Sequence, residues 1–272
     1  MTETIPLTGA TGALQVWAGH VGADAAAVAL SEEPNKSNDM VLIVDVGTNA
    51  EILLGNTTRV LACSSPTGPA FEGAQISAGQ RATAGAIEHV RIDRETLEPR
   101  VKVIGSDLWS DVPGFVESLG DTAVTGICGS GIIEVIGEMY LSGIIDQDGV
   151  VRGELANKST RIVGDDRTFS YLFYESGETK LYVTQNDVRA IQLAKAALRA
   201  GIDLLVEHAG SPIVQDIRLA GAFGAHIDPV YAMVLGLVPD CPVAGVRAVG
   251  NAAGAGAVQS LLSRRLRHEM ED

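Results

Sequence analysis

From residue 41 onward the chain runs in short apolar blocks broken by turn residues. Val41-Leu42-Ile43-Val44 ends in Asp45, and Gly47-Thr48-Asn49 turns the chain into Ile52–Leu54. Asn56-Thr57-Thr58 turns it again into Val60–Cys63. Such runs predict strands joined as hairpins. Ahead of them, residues 25–30 are expected to be helical with Asp24 as a cap, and Ser31–Asp39 is a polar linker. Further on, Pro66–Gly73 is glycine-rich, Ala74–Ile92 carries Gly79 and Gly85, and Val101–Ile104 reads as a strand. Val124–Ile136 reads as a strand, a glycine loop and a helix start. Residues 160–184 alternate as strands, notably Phe169–Phe173 and Lys180–Thr184.

The clearest helical period follows. Val188, Ile191, Leu198, Ile202, Leu205 and Val206 recur near helical spacing, with Asn186 or Asp187 as the expected cap and Gly210 beyond the end. Arg189, Gln192 and Lys195 lie about a turn apart, as a solvated face or a row aimed into a cleft. Ile217–Ala220 reads as a strand ending at Gly221 and Gly224, and Asp228-Pro229 as N-cap and first residue of another helix. Gly250–Ala257 opens a last helix running to about His268, its small residues suited to close packing or to a planar ligand.

Length and charge narrow the classes. The 272 residues suffice for one large domain or two smaller ones. Net charge is −14, and the one basic run, Arg264-Arg265-Leu266-Arg267, suits a helix C-terminus; a nucleic-acid partner is not expected. Cys63, Cys128 and Cys241 are far apart, which predicts neither a zinc site nor an iron–sulfur cluster in this chain. Without a signal peptide or an apolar run of about 18 residues, the expectation is a cytoplasmic protein with no membrane partner.

The candidate chemistry sits at strand ends. Asp45 is placed to hold Mg²⁺, which bridges one or two carboxylates to nucleotide phosphates; a buried strand with an Asp turn accounts for it equally well. Gly126-Ile-Cys-Gly129-Ser130-Gly131 leads into an apolar helix, whose N-terminal amides attract anions. Gly68–Gly73 has the spacing of a Walker loop, but Ala74 and Gln75 replace its Lys and Ser/Thr, and no GxGxxG follows a strand.

Together these turns resemble the superfamily of acetate and sugar kinases, heat-shock ATPases and actin. The Asp45–Thr48 turn is similar to its first phosphate loop, 126–131 to its second, and Leu219–Gly224 to its adenosine loop. DVGTNAEI (45–52), GPAFEGAQISAGQRATAGAI (68–87), GICGSGIIEVI (126–136), QNDVRAIQLAKAAL (185–198) and GNAAGAGA (250–257) resemble the reductive activators of corrinoid proteins over roughly residues 15–270. The resemblance implies an α/β, two-lobed actin-like ATPase fold with a nucleotide cleft between lobes. The expected parts are an N-terminal helix and linker (1–39), a first lobe (40–125) with helix 251–268 packing back on it, and a second lobe (126–250). It implies ATP-dependent reduction of cob(II)alamin to cob(I)alamin on a corrinoid protein in a methyltransferase system, with ATP and Mg²⁺ as cofactors. Asp45 would hold the metal. Gly47, Thr48 and Asn49 would contact phosphates opposite Gly129, Ser130 and Gly131; Gly221 and Gly224 would approach the adenosine; Glu51 or Glu134 would orient water. The family's [2Fe–2S] cysteines are absent, so a separate or missing redox domain is implied, and a homodimer is expected. The alternatives are an activator ATPase of a 2-hydroxyacyl-CoA dehydratase, a small-molecule kinase and an actin-like scaffold.

Overall fold

The computed structural model describes residues 2–6, 13–17, 21–165, 167–224 and 226–271, so part of the expected N-terminal segment lies outside the described residues. In chain order the elements are β1 (Thr2–Pro6), β2 (Ala13–Trp17), α1 (Ala23–Glu32), β3 (Val41–Val46), β4 (Ala50–Gly55) and β5 (Val60–Ser65). Next come β6 (Ala86–Ile92), β7 (Pro99–Val103), α2 (Phe115–Leu119), β8 (Gly126–Ile127), α3 (Gly129–Leu141), β9 (Ile162–Asp165), β10 (Thr168–Ser176), β11 (Thr179–Val183) and α4 (Gln185–His208). The chain ends with β12 (Asp216–Ala220), α5 (Gly221–Gly224), α6 (Pro229–Val234), β13 (Val246–Gly250), α7 (Ala252–Leu262) and α8 (Arg264–Glu271).

Two compact units follow: Met1–Gly68 with Lys195–Asp272, and Pro69–Ala194. The expected division into 40–125 and 126–250 is therefore replaced. The reason is long-range strand pairing. β12 returns to lie parallel beside β3, Asp216 to Ala220 against Val41 to Asp45, and draws everything after α4 into the first unit. Its sheet has the order β1-β2-β5-β4-β3-β12-β13.

In the first unit, β3 is apolar without alternation because both its faces are covered. One face joins Val28 and Ala29 of α1 and Ala252 of α7 in a core with Val41, Ile43, Leu53 and Ala62. On the other, Gly201 of α4 abuts Ile52, and Ser65 Oγ donates to Ala197 O at 2.7 Å. α7 lies almost backbone to backbone on α1: a Cβ on Gly256 would come within 1.9 Å of Ala27 O. The small residues of the last helix thus serve packing at this position. That helix is also two, broken at the extended Ser263. The linker begins later than expected, since α1 runs through Glu32 with Gly22, not Asp24, as its N-cap.

In the second unit, α3 packs on β6. β8 covers only Ala86 and Ile87 of that strand. Beyond it, two buried carboxylates of α3 take over the ladder: Val90 N donates to Glu134 at 3.0 Å and Ile92 N to Glu138 at 2.9 Å. α4 starts from a capping box, with Thr184 N donating to Asp187 Oδ2 at 2.8 Å and Asp187 N to Thr184 Oγ1 at 3.2 Å. The cap is therefore Thr184, and Asp187 is its partner in the first turn. Arg189 lies exposed, as a solvated face would have it, and it and Gln192 both donate to Asp148 O.

Replacing Gly256 by Val forces α7 off α1. The expected cost is roughly 3 kcal/mol, read as a lower urea midpoint, whereas Ala255→Val, at an exposed neighbour, changes it little.

Candidate functional site

The parallel strands β3, β12 and β13 end side by side, with Ala220 beside Asp45 on one flank and Gly250 on the other. The carboxyl ends of such strands are where open α/β sheets bind ligands. Three of the sequence-predicted features converge here.

Asp45 faces Glu51 across β3 and β4, and Glu51 faces Ser64 across β4 and β5. Residues directly opposite share a face, so the three side chains form a row, with Ser64 Oγ donating to Glu51 Oε1 at 3.1 Å. Burial, and then the Asp24 carboxylate from the first turn of α1, raise the pKa of Asp45. The same two causes, followed by Asp45 itself, push Glu51 up to about 7. These acids repel one another, and a cation would relieve them. Among the described residues no three His, Cys, Asp or Glu side chains assemble into a metal cage.

The loop after Asp45 is fixed from behind. Thr67 Oγ1 donates to Gly47 O at 2.8 Å, and Gly68 N to Thr48 O at 2.8 Å. In a trans peptide the N–H points opposite to the C=O. The amides of Thr48 and Asn49 are therefore turned away from Thr67 and Gly68, which suits an anion. Gly221, at the end of β12, has φ +92°, and a Cβ there would lie 2.5 Å from Asp45 Oδ1 and 2.8 Å from Val46 O. No side chain fits between the two strand ends. Gly224 is different: its Cβ would make only ordinary contact with Leu219, at 3.4 Å.

The remaining candidates lie in the second unit. Gly129, Ser130 and Gly131 form the buried first turn of α3 behind Cys128, and Gly131 brings the helix against Ile87 O, where a Cβ would lie at 2.6 Å. Glu134 is 1% exposed and bonded to Val90 N, His89 Nδ1 and Arg91. The expectation that it orients water is corrected: both its oxygens hold β6 and its side chains. Thr67 and Asp24 were not recognised in the sequence as site residues. Thr67 lay hidden in a glycine-rich stretch, and Asp24 read as a cap. Burial, and then Glu51, push the Cys63 thiol up to about 12. Among the described residues no helix is long and apolar enough to cross a membrane.

Glu51 generates a pH prediction. Its folded pKa of about 7 exceeds the ordinary 4.5, so the folded state holds the proton more tightly than the unfolded chain. The stability this contributes is complete below pH 4.5 and is lost as pH rises through about 7. Glu51→Gln should flatten melting temperature against pH and gain on the order of 1–2 kcal/mol over wild type at pH 8. Parallel profiles for the two proteins would contradict this.

Comparison with known proteins agrees with this geometry. Residues 39–272 match the family model of the C-terminal domain of RACo, the ASKHA domain. A corrinoid activation enzyme, RamQ, of Eubacterium limosum is 36% identical over 257 residues, covering 90% of this chain and 40% of that protein. The [Co(II) methylated amine-specific corrinoid protein] reductase of Methanosarcina barkeri is 28% identical over 228 residues, covering 80% and 38%. The structure of a reductive activator for corrinoid, iron–sulfur protein superposes with a TM-score of 0.78 at 31% identity, over 91% of this chain and 38% of that one. This chain thus spans about two fifths of the length of the proteins it matches. Its sheet, its strand-end turns and these matches place the chain in the family of RACo C-terminal domains, with the actin-like ASKHA ATPase fold.

Proposed function

We propose that the chain is the nucleotide-handling part of an ATP-dependent reductive activator, which returns a corrinoid protein from cob(II)alamin to cob(I)alamin in a methyltransferase system. The reduction takes one electron, supplied by a separate iron–sulfur redox domain or protein. The observation that carries this reading is the contact of Gly221 with the Asp45 carboxylate, beside a loop whose amides are turned outward. The names of the relatives, a corrinoid activation enzyme and a corrinoid protein reductase, supply the substrate class.

In this reading Asp45 holds Mg²⁺, and Thr48 and Asn49 N–H donate to phosphate oxygens of ATP. Gly47 keeps the turn tight, since a Cβ there would press on Asn49 O at 3.2 Å. Gly221 leaves the approach open, and Gly224, three residues on, is the further candidate for an adenosine contact. Bound Mg²⁺ would neutralise charge on the transferring phosphoryl group. Glu51 is the candidate to take a proton from attacking water, since a base works best with a pKa near the operating pH. Gly129 and Ser130, at the start of a 13-residue helix, are the second unit's candidates for an anion contact. Nucleotide shifts the activator between states only as far as its affinity for them differs.

The test is calorimetric titration with Mg·ATP. Asp45→Asn keeps the size of the side chain but loses its charge, and Gly221→Ala places a methyl on Asp45. Each should weaken Mg·ATP by about tenfold or more while the circular dichroism spectrum stays native. Unchanged affinity in both would sink the site. Appearance of the cob(I) spectrum on a methylated-amine-specific corrinoid protein should need the chain, ATP and reductant together. Nucleotide turnover indifferent to that protein would favour a kinase or scaffold instead.

A further inference from the structure

The second unit carries a basic face built around one tryptophan. β6 and β7 pair antiparallel with His89 opposite Lys102 and Arg91 opposite Arg100. Residues directly opposite share a face, and like charges so placed repel. Trp109 bridges back to Lys102 and sets its indole among them. The Arg100 guanidinium carbon lies 5.0 Å from the ring centroid and that of Arg91 5.8 Å, with the His89 ring centroid 6.4 Å away. None of these residues belongs to the strand-end nucleotide site.

A strand pair that served the fold alone would set opposite charges across its ladder. Here the main counter-charge lies beneath the face: Glu134 is buried, with its oxygens taken by Val90 N, His89 Nδ1 and Arg91. On the surface itself three permanent cations and His89 stand against Asp111 and Glu88, the latter at the bulge of β6. Asp111 is 3.6 Å from Arg100, and both are half exposed, so that pair contributes little. Lys102 makes no ion pair among the described residues. Trp and Arg are the residues that dominate the centres of protein interfaces. The indole steadies the guanidiniums by cation–π contact, and a half-exposed guanidinium takes a carboxylate through two parallel N–H bonds. A small inorganic anion would make no use of the indole. A nucleic acid would stack bases on it, but two guanidiniums already lie over the ring, and a net charge of −14 repels a polyanion. What remains is a protein surface that presents Asp or Glu carboxylates around an apolar contact. The acidic remainder of this chain repels such a partner elsewhere and so directs it to this face.

We propose that the β6–β7 face, centred on Trp109, is where a carboxylate-bearing surface of the corrinoid protein docks. The inference rests on the corrinoid reading of the function and adds to it the place and the chemistry of partner recognition. Arg100 and Lys102 supply the charge, and Trp109 supplies the apolar centre.

The experiment is titration of the full chain with a methylated-amine-specific corrinoid protein. Arg100→Glu combined with Lys102→Glu should weaken binding by about tenfold or more, with the native circular dichroism spectrum and the Mg·ATP isotherm unchanged. Arg264→Glu combined with Arg265→Glu makes the same change of charge at exposed positions of the other basic run and should alter binding by less than about twofold. Zero-length carbodiimide coupling of the complex should join Lys102 to an Asp or Glu of the corrinoid protein. No binding of the corrinoid protein, equal effects of the two double variants, or coupling confined to Lys36, Lys158, Lys180 and Lys195 would overturn the proposal. So would a single-stranded oligonucleotide that binds the wild type and is lost in the Arg100 and Lys102 variant while the corrinoid protein still binds it. Mg·ATP titration and cob(I) formation on the same samples separate the two readings. ATP-dependent cob(I) formation indifferent to the Arg100 and Lys102 changes rejects the docking face alone. Binding that depends on those residues without any nucleotide response rejects the proposed nucleotide function and leaves the face standing.

Discussion

The first unit depends on the pairing of β12 with β3. Five residues on each strand align in parallel, with about 170 residues between them in the chain. Parallel strands cannot be joined by a short turn, so the intervening chain has room to build a second compact unit. The pairing sets Ala220 beside Asp45 and so delivers Gly221 against the carboxylate. It also places β13 and the start of α7 next in line, so that three strand ends open on one edge. Arg218 secures the opposite end of β12, pairing with Asp216 at 2.8 Å and Glu32 at 3.2 Å while only 11% exposed. A slip of one residue along β12 would reverse the faces of its side chains and remove Gly221 from Asp45.

The buried acids divide by how well they are satisfied. Asp187 accepts from Ser77 and Thr184, and Glu134 and Glu138 accept from β6. These carboxylates complete a backbone that has run out of partners, a structural use of negative charge. Asp45 and Glu51 are opposite in character. They lie across one strand pair with Asp24 near, and burial with like charge raises both pKa values. Folding alone gains nothing from such a row. Perturbed acids of this kind concentrate at functional sites, and a divalent cation is what would reverse the repulsion.

Local features were legible in the sequence. The meander β3-β4-β5, the strands of 160–184 and the long helix α4 follow from apolar runs, turn residues and helical period, because each is decided by neighbours within a few residues. Three things were not legible. The division into units depends on which strands pair across the chain, and period carries no information on that. The role of Glu134 depends on β8 stopping after two residues, a tertiary event with no signature in an Ile-Ile-Glu-Val helix. The cap of α4 slipped because Thr184, the last residue of an apparent strand, also opens the helix. Of the sequence candidates, Asp45, Glu51 and Gly221 lie close together in the fold. Thr67, which holds the loop, was missed because a threonine among glycines and prolines reads as turn filler.

The glycines show why a loop motif underdetermines chemistry. Gly131, Gly221 and Gly256 all stand where a Cβ would strike backbone or carboxylate within 2.6 Å. Gly131 and Gly256 use that freedom for helix packing, against β6 and α1. Gly221 uses it to leave the carboxylate of Asp45 uncovered. In sequence the three are equivalent: each is a glycine in a small-residue run at the start of a helix. What separates them is the atom each one faces, a carbonyl already engaged in the fold or a carboxylate that the fold leaves uncompensated. A site with an unsatisfied group and room beside it is open to a ligand.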